Sequence, residues 1–240
     1  SCSKIVTQSY STSFSSATKM LSLSIRSDIY NIYGFVRFTD EIVDTFHDYD
    51  KEELLDGFER DLKYALKNKI SLNPILNSFQ FTYHKYSIPY TLVASFLDSM
   101  RMDLTMKVFK TEAEYKSYIY GSADAVGLMC LHVFTQGDKL KYEQLKASAM
   151  ALGSAFQKVN FLRDLKSDFE DLNRSYFPQI NLRELDDISK AAIIQEIESD
   201  LAHGYAGILN LPNSSKFGVF MAYRYYRELL HKLKKTPSKE

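Results

Sequence analysis

Asp40 and Asp44 are four residues apart, as are Asp164 and Asp168, and these carboxylates are the side chains best suited to chemistry. On a helix, residues i and i+4 share a face and stand about 6 Å apart along the axis. Paired carboxylates at that spacing suit hard divalent cations. Magnesium prefers oxygen ligands and is usually held by one or two carboxylates together with substrate phosphate oxygens. An isolated pair of this kind is more often a solvated helix face. Here the neighbours argue otherwise. Tyr33, Arg37, Asp40 and Asp44 form a stripe through Ile32, Phe35, Val36, Phe38, Ile42, Val43 and Phe46. Gln157, Asn160, Asp164 and Asp168, with Arg163 adjacent, form a second stripe through Phe156, Val159, Phe161, Leu162 and Leu165. A polar stripe bounded by apolar residues on both sides predicts a helix that lines a cavity. Two such helices, face to face, could gather magnesium ions around a diphosphate, with basic and phenolic donors assisting. Asp48, Asp50, Asp186 and Asp187 lie in polar, loop-like contexts and are expected to be surface charge.

The elements that must position these residues are helical. Nine glycines and five prolines are few for a chain of 240 residues, and strand-rich domains use both freely in turns. Periodicity predicts helices near 3–20, 27–47, 51–68, 73–85, 89–104, 112–136, 139–170, 189–209 and 215–235. Thr111 with Glu114 is a capping-box signature, and Pro74 and Pro89 suit first helical turns. The stretch 173–182, which contains Pro178, is expected to be a loop. Small residues recur at helical spacing: Ala123, Gly127 and Cys130 on one helix, Ala149 and Gly153 on another. Small residues permit close helix packing; leading into the second stripe, they would equally leave room for a long apolar chain. Cys130 has no adjacent histidine to activate it and is expected to be a small wall residue rather than a nucleophile.

Bulk composition narrows the partners. Thirty basic and thirty acidic side chains balance, so the overall charge gives no basis for nucleic-acid binding. Two cysteines, Cys2 and Cys130, argue against a disulfide framework and make a reducing cytoplasm the expected setting. No apolar run approaches the roughly 20 residues that span a bilayer. Peripheral membrane contact remains an expectation, with the basic tail (Lys232, Lys234, Lys235, Lys239) as a candidate.

Taken in order along the chain, these segments resemble the squalene and phytoene synthases, which join two prenyl diphosphates head to head. The segment Tyr10–Phe14 is similar to the family's N-terminal serine and phenylalanine motif, and Tyr33–Asp44 to its first aspartate-rich signature. Tyr118–Gly127 resembles the central tyrosine, alanine and valine-glycine segment, and Gln157–Asp168 the second signature. Arg174, Tyr176 and Pro178 match the flap beyond that signature, and Tyr226 stands where the family often places a tyrosine. The resemblance implies an all-α, single-domain isoprenoid-synthase bundle around a central cavity, spanning residues 1–240. The family usually continues past the helix ending near Lys235, which raises a missing final helix as an expectation.

The same resemblance implies roles. Asp40, Asp44, Asp164 and Asp168 would hold Mg2+, with Mn2+ as a substitute. Arg37, Arg163, Arg174, Tyr33 and Tyr176 would bind or stabilise diphosphate. Asn160 would orient metal or substrate, and Gln157 would polarise intermediates. Phe14, Ala123, Val126, Gly127, Ala149 and Gly153 would line the chain-binding tunnel, with Ser11, Tyr118 and Tyr226 as further substrate contacts. Thr18 stands where some members carry a larger aromatic residue. The implied reaction condenses two geranylgeranyl diphosphates to phytoene through a cyclopropylcarbinyl diphosphate, as in carotenoid biosynthesis. The alternative is squalene or dehydrosqualene formation from two farnesyl diphosphates, and only squalene formation would require NADPH. A class I terpene cyclase or a non-catalytic helical scaffold ranks behind both.

Overall fold

The computed structural model describes residues 2–10, 12–106, 108–109, 111–172, 177 and 187–236, with side chains described for all of these except 8–10, 12–13 and 165–172. The elements are α1 (Cys2–Tyr10), α2 (Thr12–Lys19), α3 (Leu23–Asp44), α4 (Lys51–Asn68), α5 (Pro74–Lys85), α6 (Tyr90–Thr105), α7 (Glu112–Ile119), α8 (Ala125–Thr135), α9 (Lys139–Leu172), α10 (Asp187–Leu209) and α11 (Asn213–Lys235). Among the described residues there is no β-strand, as the scarcity of turn residues predicts.

Local chemistry sets the helix ends. Thr111 Oγ1 accepts from the Glu114 backbone N–H at 3.2 Å, and Glu114 returns the bond to the Thr111 N–H at 3.0 Å, completing the expected capping box. Asn73 caps α5 by accepting from Ile75 N–H at 2.9 Å, with Pro74 in the first turn. Asp50 is exposed, as expected, and also caps α4 by accepting from Glu53 N–H at 3.0 Å. Beyond α8 the chain turns through left-handed Gln136 and Gly137, with φ 52° and 87°.

Three boundaries differ from the sequence expectation. The helix anticipated over 3–20 is two helices, α1 and α2, on either side of position 11, which lies outside the described residues. The helix anticipated from 27 begins a turn earlier, at Leu23, directly after Ser22. The helix anticipated over 112–136 is not uniformly α: Tyr120–Asp124 forms a π turn between α7 and α8. Gly121 explains why the chain can sit there. A Cβ on it would lie 2.3 Å from the Ser95 carbonyl oxygen of α6, so only a glycine allows this backbone approach. Such π turns accommodate one extra residue and shift the phase of the helix beyond them.

The hydrophobic core forms around α3. Phe35 is fully buried, stacking on Phe79 at 4.1 Å and meeting Phe96 edge-on at 5.5 Å, and so ties α3 to α5 and α6. A polar anchor lies two turns before it. Buried Asp28 accepts from Thr82 Oγ1 (3.1 Å), Lys85 Nζ (2.8 Å) and Tyr86 OH (2.9 Å), and Asn31 donates to the same Thr82 at 3.0 Å.

The bundle has a closed end and an acidic end. Ser22 N–H donates to the Ser214 carbonyl at 2.9 Å, and Gln136 Nε2 lies 3.3 Å from Ser214 Oγ. The starts of α3, α9 and α11 and the ends of α2, α8 and α10 therefore meet at the closed end. From there α3 and α9 both run outward, so their aspartates, late in each helix, come near the opposite end.

Removing the Asp28 carboxylate strips two buried donors, Thr82 and Tyr86, and the exposed Lys85 of their acceptor. Asp28→Ala is expected to lower unfolding free energy by about 2–3 kcal/mol, read as a lower urea midpoint at unchanged slope.

Candidate active site

The site is an apolar cavity of about 300 Å³ enclosed by α2, α3, α8, α9, α10 and α11. Its floor, near the closed end, is built from Leu21, Leu131, Phe134, Leu145 and Leu211. Toward the other end the lining becomes polar, with Tyr33 on α3, Gln157 and Asn160 on α9 and Tyr226 on α11. From Leu145 to Asn160 the wall runs along about 22 Å of α9, at 1.5 Å per residue.

The acidic residues continue the lining faces outward. Asp40 is one turn beyond Val36, and Asp164 one turn beyond Asn160; both Val36 and Asn160 line the cavity. Arg37 forms ion pairs with both Asp40 and Glu41 on its own helix. Burial alone would lower the Arg37 pKa, but the two carboxylates outweigh it and the net shift is upward. Arg163 pairs with Asp164 through Nε at 2.6 Å, and this bond is the main cause of its raised pKa. Both guanidiniums are thus fixed cations at the polar mouth.

Two aromatic contacts frame that mouth. Phe14 stacks on Tyr33 at 4.3 Å, and Phe156 on Tyr226 at 4.0 Å. Burial pushes the Tyr226 phenol upward, while a hydrogen bond with Asn160 and the charge of Arg163 pull it back. Asn160 Oδ1 is buried and has no hydrogen-bond partner. A buried amide oxygen left in that state costs about 1–3 kcal/mol, so it is a natural acceptor for a donor or cation entering the mouth.

The squalene/phytoene synthase family model matches residues 7–239. The chain belongs to this family. Among its relatives, 4,4'-diapophytoene synthase of Staphylococcus haemolyticus is 29% identical over 83% of this chain and 67% of the relative. Phytoene synthase of Arthrospira platensis is 29% identical over 83% of this chain and 64% of its own length. Phytoene synthase 1 of Solanum lycopersicum is 26% identical over 93% and 58%. The chain thus spans 58–67% of the length of these curated relatives. In fold it resembles a dehydrosqualene synthase solved with a ligand (TM-score 0.86, 20% identity, covering 98% of this chain and 85% of the other). Squalene synthase HpnC from Alicyclobacillus acidocaldarius is similarly close (TM-score 0.82, 21% identity, covering 98% and 92%).

Within this squalene/phytoene synthase fold most of the anticipated residues converge. Phe14, Tyr33, Ala123, Val126, Gly127, Ala149, Gly153, Gln157, Asn160 and Tyr226 all line the cavity, and so does Thr18. The small residues both pack closely and border the cavity. Gly153 lines the cavity, and a Cβ there would come within 2.9 Å of the Ala123 carbonyl oxygen, so α9 also touches the turn leading into α8 backbone to backbone. Cys130 is a wall residue, as expected; burial pushes its thiol up to about 12, far from a nucleophile's range. Ser11, Arg174 and Tyr176 lie outside the described residues, as does the side chain of Asp168.

Tyr118 is a correction. It does not line the cavity: its hydroxyl donates to Asp103 at 2.9 Å, and its ring packs between Phe109 and Phe161. The π turn that begins at Tyr120 shifts the helix phase between Tyr118 and the cavity-lining residues, and Tyr118 faces α6.

Sequence reasoning also missed residues. Glu41, four residues after Arg37, had a visible signal in that spacing. The buried Lys158 had none. It bonds Glu196 and, at 2.7 Å, Asp200, both on α10, and only packing could reveal those partners. On the α8 side of the same wall, Asp124 accepts from Ser154 Oγ at 2.6 Å. Burial pushes the Asp124 carboxyl up to about 6, against the opposing pull of Ser154 and Lys158, with Asp200 adding to the rise. Because the folded state holds this proton more tightly than the unfolded chain, the contribution of Asp124 to stability falls as pH rises from about 4 through about 6, then levels off. Asp124→Asn is expected to match wild type at pH 4 and to exceed it at pH 8 by up to about 3 kcal/mol, measured by urea unfolding at both pH values.

Proposed function

We propose that the protein condenses two geranylgeranyl diphosphates head to head into phytoene, through a cyclopropylcarbinyl diphosphate and with release of pyrophosphate. The observation that carries this reading is an apolar cavity whose polar mouth is flanked by two aspartate-bearing helices.

Charge balance supports a metal-assisted site. Among the described residues, Asp40, Glu41, Asp44 and Asp164 outnumber Arg37 and Arg163 at the mouth. An anionic diphosphate would be repelled there unless divalent cations intervened. Asp40, Asp44, Asp164 and Asp168 would hold Mg2+, or Mn2+ in its place, with the Asn160 oxygen available beside them. Bound there, the metal supplies charge neutralisation for the departing diphosphate.

The chain's own groups do the rest. Arg37 and Arg163 present fixed guanidiniums to diphosphate oxygens. The stacked faces of Phe14 with Tyr33 and of Phe156 with Tyr226 offer π-density to an allylic cation. The aliphatic lower walls exclude the water that would quench it. The wall is long enough for the longer substrate. Each bond of about 1.5 Å advances an extended chain by about 1.25 Å. A main chain of about sixteen carbons then extends roughly 19 Å and a farnesyl main chain of about twelve roughly 14 Å, against about 22 Å of wall. The farnesyl reading has its own support in the similarity to a diapophytoene synthase. Phytoene formation ends in proton loss and needs no NADPH, whereas squalene formation does.

Incubation with Mg2+ and each prenyl diphosphate separately, followed by mass analysis, tests the proposal. A C40 hydrocarbon from geranylgeranyl diphosphate is expected without NADPH. A C30 product from farnesyl diphosphate alone would move the assignment, and neither hydrocarbon nor pyrophosphate from either would overturn it. Asp40→Asn and Asp164→Asn are each expected to reduce kcat by roughly 100- to 1000-fold, with folding checked by circular dichroism.

A further inference from the structure

We propose that the closed end of the bundle docks on an anionic lipid surface. Three helix junctions meet there, at 20–22, 136–138 and 210–212, tied through Ser22, Gln136 and Ser214. Five large apolar side chains stand exposed within about a turn of these junctions: Met20 (42% exposed), Leu23 (80%), Leu140 (74%), Leu209 (55%) and Phe217 (58%). Single exposed apolar residues are ordinary on any protein. Five converging on one end, from the turn after α2 and from α3, α9, α10 and α11, make a patch that calls for a partner.

Charge identifies the partner. Lys19, Arg26, Lys139, Lys141 and Lys216 surround these apolar residues, and Asp138 is the one carboxylate in 19–26, 136–141 and 209–217. Asp138 is moreover engaged, accepting from Lys141 N–H at 3.0 Å. The chain as a whole is neutral, so this excess of positive charge is local. A second copy of the chain would set like charges against each other. Anionic headgroups complement the basic residues, and the acyl boundary accepts the apolar side chains, as for amphipathic elements lying in an interface. The face also backs directly on the cavity floor, since Leu21 and Leu211, close in the chain to Met20 and Leu209, line the cavity from its inner side.

Co-sedimentation with vesicles tests this without any prenyl substrate, so its failure is separate from failure of the catalytic reading. The full chain is expected to pellet with phosphatidylcholine vesicles containing about 30% phosphatidylglycerol and far less with phosphatidylcholine alone. Binding should weaken as salt rises from about 0.1 M to about 0.5 M. The triple variant Leu23→Ser, Leu140→Ser, Phe217→Ser and the double variant Lys139→Glu, Lys216→Glu should each bind about tenfold more weakly. Melting midpoints check that both remain folded, and the charge variant decides if the apolar one does not. Wild type that ignores anionic vesicles, or variants that bind as wild type does, would overturn the proposal. So would loss of binding in Lys232→Glu, Lys235→Glu at the far end of α11 with the face variants unaffected. A wild-type dimer dissociated by the triple variant would assign the face to self-association instead.

Discussion

The fold turns on one electrostatic constraint: negative charge is held at the edge of a cavity that is otherwise apolar. Carboxylates placed deep in an apolar interior would take up protons rather than stay ionised. Placed far from it, they could not act on a group whose tail lies inside. The compromise is directional. α3 and α9 start together at the closed end and run the same way, so each carries apolar lining residues first and aspartates a few turns later. Arg37 and Arg163, paired with carboxylates of their own helices, keep that rim from being a bare cluster of like charges.

The rest of the molecule keeps these helices aligned. On one side α3 is held by the aromatic stack of Phe35 with Phe79 and Phe96 and by the bonds converging on Asp28. On the other, α9 is held by close backbone approach at Gly153 and by the Lys158 bonds to α10. Burying Lys158 has a desolvation cost, which its two carboxylate partners more than offset, since its pKa is raised despite burial.

Much of this was legible in the sequence because helical spacing converts directly into a shared face. The stripe of Tyr33, Arg37, Asp40 and Asp44 needed only a period of 3.6 residues, as did the face shared by Ala123 and Gly127 and the one shared by Ala149, Gly153, Gln157 and Asn160. The lining role of Val126 came from the family resemblance. Spacing is blind where the helix departs from that period. Tyr118 belongs to the same sequence motif as Ala123, yet it faces Asp103. Spacing is equally blind to pairs formed across helices. Lys158 sits next to Gln157 in the chain, but its partners lie 38 and 42 residues away. Nothing local distinguishes such a lysine from a solvated one.

The π turn at Tyr120–Asp124 has a consequence for how this protein can change. It divides one continuous helix into two faces set by independent needs. Tyr118 before it and Gly121 within it are fixed against α6. Ala123 at its far side and the α8 residues from Val126 to Phe134 line the cavity. Because the extra residue shifts the phase, the cavity-facing residues of α8 are not bound to continue the stripe that faces α6 before the turn.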